Sequence, residues 1–208
     1  MSNSFLLGTF LNFLALLICL TVHEFSHAWV AYKLGDPSAE KSGRLTLNPF
    51  KHLDLMGTIM LLLFRFGWAK PVPINPYYFK NKKQGIILVS LAGPVSNFLM
   101  AFLGGLLLKL SLPMQNAFLN TFFYIFIYMN IALAIFNLLP IPPLDGSHLI
   151  TVFVKNQKVI SWLYSYGMFV FIGLLFIGSF FGWFNILAII IEPFVSLIFS
   201  IFSIPGIL

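Results

Sequence analysis

The sequence predicts an all-α membrane protein of about five transmembrane helices, six if residues 55–66 also cross, with a short re-entrant or β-hairpin segment between the first two. Three observations carry that prediction. Apolar residues make up 59% of the chain and charged residues 9%, against about 25% charged in an ordinary soluble domain. Mean hydropathy is +0.94. The apolar residues also fall into runs of about 20, the length that spans a bilayer as a helix. Twelve basic and six acidic side chains cannot keep a surface this rich in Phe, Tyr and Trp in water.

Residues 5–32 form the first run. It lacks a basic leader and stays apolar through Ala28–Tyr32, so it reads as a retained helix and not a signal peptide. Further spans are predicted at about 86–109, 117–138, 160–181 and 183–204. Residues 55–66 are apolar but too few for a full crossing, which suits a re-entrant or interfacial segment. Segments 36–52 and 67–84 are rich in Pro, Asn and Gly, and Arg44–Leu47 and Pro71–Ile74 are candidate strands whose prolines suit an edge. The whole chain reads as one polytopic domain, with a core at about 5–150 and a C-terminal helix pair at about 158–205.

Loop charge sets the orientation. With no crossing at 55–66, eleven of the twelve basic residues fall on one side and only Lys109 falls opposite. Basic loops mark the cytoplasmic side, which places the N-terminus outside. The net charge of +6 therefore reports bilayer orientation and not a nucleic-acid partner. The single cysteine, Cys19, excludes an internal disulfide and a Cys-based zinc site.

Within the first helix stands His23-Glu24-Phe25-Ser26-His27. Residues four apart lie on one helix face, so the two imidazoles can share one zinc. Glu24, beside the first, can reach a zinc-bound water and take its proton, and zinc lowers that water's pKa toward about 7. Ionisable groups inside a bilayer are costly and mark function by default. His23 lies ten residues before Lys33 and His27 six, which sets the metal roughly 9–15 Å below the membrane boundary. A cavity open to the cytoplasm must then admit water.

A catalytic zinc takes three protein ligands and keeps one open position. The remaining candidates are Asp36, Glu40, His52, Asp54, Asp145, His148 and Glu192. Asp36 and Glu40 follow the helix too closely and read as loop charges. Asp145 stands out in Asn137-Leu-Leu-Pro-Ile-Pro-Pro-Leu-Asp145-Gly146, where prolines break the helix and a carboxylate can turn back into the bundle; a turn or N-cap aspartate fits there equally. His148 competes, though an interfacial histidine explains it. A polar insertion, Gly93-Pro94-Val95-Ser96-Asn97, interrupts another span. Asn97 can donate to a substrate carbonyl or developing oxyanion, or simply bond another helix, as Asn12, Asn120 and Asn130 would.

These pieces, in this order, resemble the site-2 protease family of intramembrane zinc metalloproteases, peptidase family M50. Gly43-Arg44-Leu45-Thr46-Leu47-Asn48-Pro49 and Lys51-His52-Leu53-Asp54 are similar to its compact prokaryotic branch, with Leu55 where that branch often has proline. The resemblance covers about residues 15–150. It implies one Zn2+ per chain held by His23, His27 and Asp145, with Glu24 as general base. Asn97 and Asn137 would hold substrate or stabilise the transition state. It further implies a transmembrane protein as substrate, the prokaryotic inner membrane as location, and a site open to the cytoplasm. An unwound substrate is expected to pair with a strand edge at 44–47 or 71–76. With no PDZ-like or nucleotide-sensing domain in the sequence, either a minimal enzyme or a regulatory membrane partner is expected. Two rivals stay open: a membrane protease with Glu192 as third ligand, and a non-catalytic metal-binding or transport protein.

Overall fold

Long apolar runs become long helices here, because in lipid a helix satisfies each backbone polar group within its own segment. The computed structural model describes residues 3–64, 69–181 and 183–204. Helix α1, Asn3–Lys33, has 31 residues, about 46 Å at 1.5 Å each. It ends at Gly35, whose φ of +103° is open to a residue without a Cβ. A short α2, Ser38–Lys41, follows. Helix α3, Leu55–Phe64, starts where the Asp54 side chain accepts from Gly57 N–H at 2.8 Å. Its ten residues reach about 15 Å, half the thickness of the hydrocarbon core.

Helix α4, Lys82–Ser111, is capped by the Asn81 side chain and contains Pro94. Helix α5, Ala117–Asn137, is capped by Asn116. Then come α6, Asp145–Phe153, α7, Gln157–Phe181, and α8, Trp183–Phe202. Among the described residues, three helices are long and apolar enough to cross a membrane: those within Phe5–Lys33, Lys82–Met114 and Ala117–Asn137. The protein is thus a helical integral membrane protein. Its outer face agrees: Phe10, Leu99 and Phe169 are 55%, 66% and 71% exposed, a surface suited to lipid.

Helices α1, α4 and α5 pack on one another. Ala15 and Cys19 of α1 bury against Phe126 of α5. A second core joins α4, α5 and α8 through Ala101, Leu108, Ile127, Ile131, Val195 and Ile198. Gly105 makes room for α8, since a Cβ there would overlap Ile198 and Phe202.

Two features bear on the predicted layout. Between α1 and α4, no strand forms among the described residues; a lone antiparallel bridge, Leu53 with Ala69, stands where a hairpin was expected. Lys70 N–H adds a bond to His52 C=O at 2.9 Å. Residues 52–53 and 69–70 therefore meet at one level of the molecule. Secondly, α8 runs in the same direction as α4. Phe194 lies by Phe98, Phe202 by Phe102, and Lys109 Nζ donates to Ser203 C=O at 3.4 Å. Five alternating crossings would have set α8 opposite to α4.

Candidate metal centre

Three ligand atoms converge below the end of α1. His23 and His27 sit one helical turn apart, as their spacing requires. Asp145 opens α6 after the proline-broken loop, and Gly146 lets that turn close: a Cβ there would overlap the carbonyls of Leu138 and Leu139. Asp145 Oδ2 lies 3.1 Å from His23 Nε2 and 3.1 Å from His27 Nε2. The two Nε2 atoms are themselves 3.1 Å apart. His23 and His27 are buried, and Asp145 is half-buried.

The outer bonds of the rings fix where their protons sit. His27 Nδ1 lies 2.7 Å from the Val89 carbonyl, which only accepts, so this nitrogen donates. His23 Nδ1 lies 2.6 Å from Asn97 Oδ1. Asn97 is oriented by its own amide, which donates to Asn130 Oδ1 at 2.9 Å and Cys19 C=O at 3.3 Å. Asn130 is oriented in turn by donating to Phe126 C=O at 2.8 Å. Asn97 and Asn130 are both fully buried. This assignment from the hydrogen-bond network leaves each neutral ring with a bare Nε2 lone pair. Two lone pairs and a carboxylate oxygen at mutual 3.1 Å repel unless a cation lies among them. Zinc at about 2.0–2.1 Å from tetrahedral N and O ligands sets them about 3.3 Å apart, close to what is found. The residues fit the metal in donor type, spacing and supporting bonds.

Helix α4 presses on the pair. Gly93 faces both rings, and a Cβ there would overlap His27 Nε2 and the His23 ring. Pro94 has no N–H, which loosens the helix ladder at this level.

Glu24 is half-buried and accepts from Val72 N–H at 3.2 Å. Val72 belongs to an extended strap, residues 69–75, tied at three places. Arg44 donates to Lys70 C=O, Glu24 holds Val72 N–H, and Asp36 Oδ2 takes Asn75 N–H at 2.6 Å. Burial lowers the Arg44 pKa, and the Glu24 charge nearby opposes that. Asp36 is fully buried and also accepts from Ser38 N–H at 2.9 Å. It is a clamp and not an ordinary loop charge; its signal in the sequence is only its place just after Gly35.

The other candidates lie apart from this triangle. His52 is buried and bonds Thr46 C=O at 2.8 Å. Asp54 caps α3, and Glu40 is exposed. His148 is exposed, 3.3 Å from Tyr164 Oη. Asn137 donates to Leu133 C=O at 3.0 Å. Glu192 lines a cavity with Asn12 and is not part of the His23, His27 and Asp145 group. Among the described residues, the group able to hold a metal is His23, His27 and Asp145. The relay through Asn130 was missed: a lone Asn in a span looks the same whether it bonds a helix or a ligand.

Comparison with known proteins agrees with this chemistry. The model of peptidase family M50 matches residues 109–178, which include Asp145 but not His23–His27. A Bacillus subtilis (strain 168) protein named "Putative zinc metalloprotease YwhC" is 46% identical over 181 residues, 82% of this chain and 83% of the relative. "Putative zinc metalloprotease Rip2" of Mycolicibacterium smegmatis is 34% identical, over 62% of this chain and 52% of its own. "Putative zinc metalloprotease MJ0611" of Methanocaldococcus jannaschii is 30% identical, over 67% and 63%. No solved structure matches the chain. With four-fifths of both sequences aligned to the Bacillus relative at that identity, the chain belongs to peptidase family M50.

Proposed function

We propose that this zinc metalloprotease cleaves peptide bonds within or near transmembrane segments of membrane-protein substrates, with His23, His27 and Asp145 as the metal ligands and Glu24 as the general base. The observation that carries the residue roles is the 3.1 Å triangle of two bare Nε2 atoms and one carboxylate oxygen. Zinc, when bound, supplies an acidified water and a Lewis acid for the scissile carbonyl. The side chains do the rest. Glu24 takes the proton of the attacking water at its carboxylate and returns it to the leaving amine. Asn97 acts through His23: its Oδ1 holds the ring by Nδ1, so the Nε2 lone pair stays aimed at the metal position. Asn137, at the inner end of α5, is left to meet substrate through its Oδ1.

Val72 N–H bonds Glu24 Oε2, which orients the carboxylate and leaves Oε1 to accept the water's proton. A substrate must enter as unwound chain, because a helical peptide bond has its amide and carbonyl already engaged.

The basic loops support a site facing the cytoplasm, in a prokaryotic inner membrane. The direction of α8 supports crossings by α1, α4, α5 and α8, with the α3 segment returning to the side where it starts and α7 lying along the membrane instead of through it. The domain is a single unit, since α8 packs into the same core as α4 and α5.

The test co-expresses wild type or Glu24→Gln with candidate single-span proteins, mapping products by mass and measuring bound zinc. Lost cleavage with zinc retained is the expected result. Unchanged cleavage in Glu24→Gln would overturn the assignment of the base, and zinc retained in Asp145→Ala would overturn the ligand set.

A further inference from the structure

Away from the metal, α8 carries a carboxylate, Glu192, that the reaction does not use. It is exposed, in the middle of the helix, with no hydrogen bond or ion pair among the described residues. It borders an open cavity of about 300 Å³ between α1, α5 and α8. Asn12, Tyr124 and Tyr128 supply further polar groups there, and Val195 and Phe199 supply apolar wall. The Asn12 amide donates to Gly8 C=O at 2.8 Å, which leaves its Oδ1 as an acceptor. Tyr124 and Tyr128 stand seven and eleven residues into α5, roughly 10–17 Å from the α4–α5 turn. Asn12 precedes His23 by eleven residues on α1, about 16 Å along the axis, so the cavity is separate from the metal centre.

An ionised carboxylate at this depth is costly unless a partner neutralises it. One carboxylate is too few oxygens for a divalent cation, which takes about six. It suits a single ammonium or guanidinium, which can bond the carboxylate and the Asn12 oxygen together. Such a group reaches mid-bilayer on a helix. The surface beside the cavity suits a helix too: Phe10 of α1 and Ile189, Phe194 and Leu197 of α8 are all exposed.

We propose that this cavity docks a partner transmembrane helix bearing one Lys or Arg in the half of the bilayer that holds the α4–α5 turn, paired with Glu192. The inference stands on Glu192 and its cavity, independent of the metal ligands.

The test uses the full zinc-loaded chain as Glu24→Gln, so that no guest is cut, in phosphatidylcholine vesicles. Three labelled Leu-rich guest helices carry Lys, Leu or Glu about 15 Å from the matching boundary. Energy transfer reads binding. The Lys guest is expected to bind about tenfold tighter than the Leu guest, in the range measured for polar pairs in membranes. Glu192→Gln should erase that preference and Glu192→Lys should transfer it to the Glu guest. Equal binding of Lys and Leu guests, or a Lys preference that survives Glu192→Gln, overturns the proposal. Displacement of the Lys guest by added phosphatidylethanolamine would overturn it in favour of a lipid amine.

Discussion

Gly93 has no side chain because two imidazoles stand where a Cβ would go. Gly93→Ala should therefore lose most of its zinc by elemental analysis while keeping its helical circular dichroism, since alanine is no worse for the helix itself. Asn130→Leu should weaken zinc in a chelator competition by less than the about 10- to 100-fold typical of losing a direct partner of a metal ligand, because it reaches His23 only through Asn97. It leaves the Asn97 amide short of an acceptor in a buried place, at about 1–3 kcal/mol. Sequence made the helical half of the site legible: His23 and His27 are local, and a turn of helix sets their spacing. Asp145 lies 118 positions beyond His27, and residue types alone left it level with an N-cap reading until the family resemblance decided. Asn97 was singled out for substrate, yet every contact of its buried amide is to His23, Cys19 or Asn130. Nothing short of the packed helices distinguishes those partners.

At the scale of an element, the strap shows why the predicted strands did not form. Pro71, Pro73 and Pro76 have no N–H to give. The donors of Lys70, Val72 and Asn75 go to His52 C=O, Glu24 and Asp36. Ile74 alone keeps an N–H outside these bonds, so 71–76 is a poor edge for an incoming chain. Proline placement suggested strands at 44–47 and 71–74, and neither forms among the described residues; that side chains of α1 and its loop would hold residues 70–75 was not visible. Val72→Pro tests the middle tie. Backbone already extended between two prolines accepts a third, so the change removes one donor to Glu24. If that donor positions the base, kcat/KM should fall about tenfold, as for one bond to a charged group, with zinc content unchanged. A rate that rises would mean the contact holds the protease shut.

For the whole molecule, hydropathy located the long helices but not their directions. Length shows that a run is able to cross; only packing shows which way it goes. Cysteine labelling in a Cys19→Ala background decides. Cysteines at Gln115 and Ser203 should react from one face of sealed vesicles and a cysteine at Ser42 from the other. Reaction of positions 203 and 42 from the same face would restore alternating crossings. The parallel run of α4 and α8 has a practical corollary. Helix α1 pairs with α4 head to tail, His27 lying by Val89 and Cys19 by Asn97, so residue 3 and residue 204 emerge on one face. On the proposed four crossings, reporter proteins fused at either end would share a compartment, while one inserted beside Asn156 would light up the other.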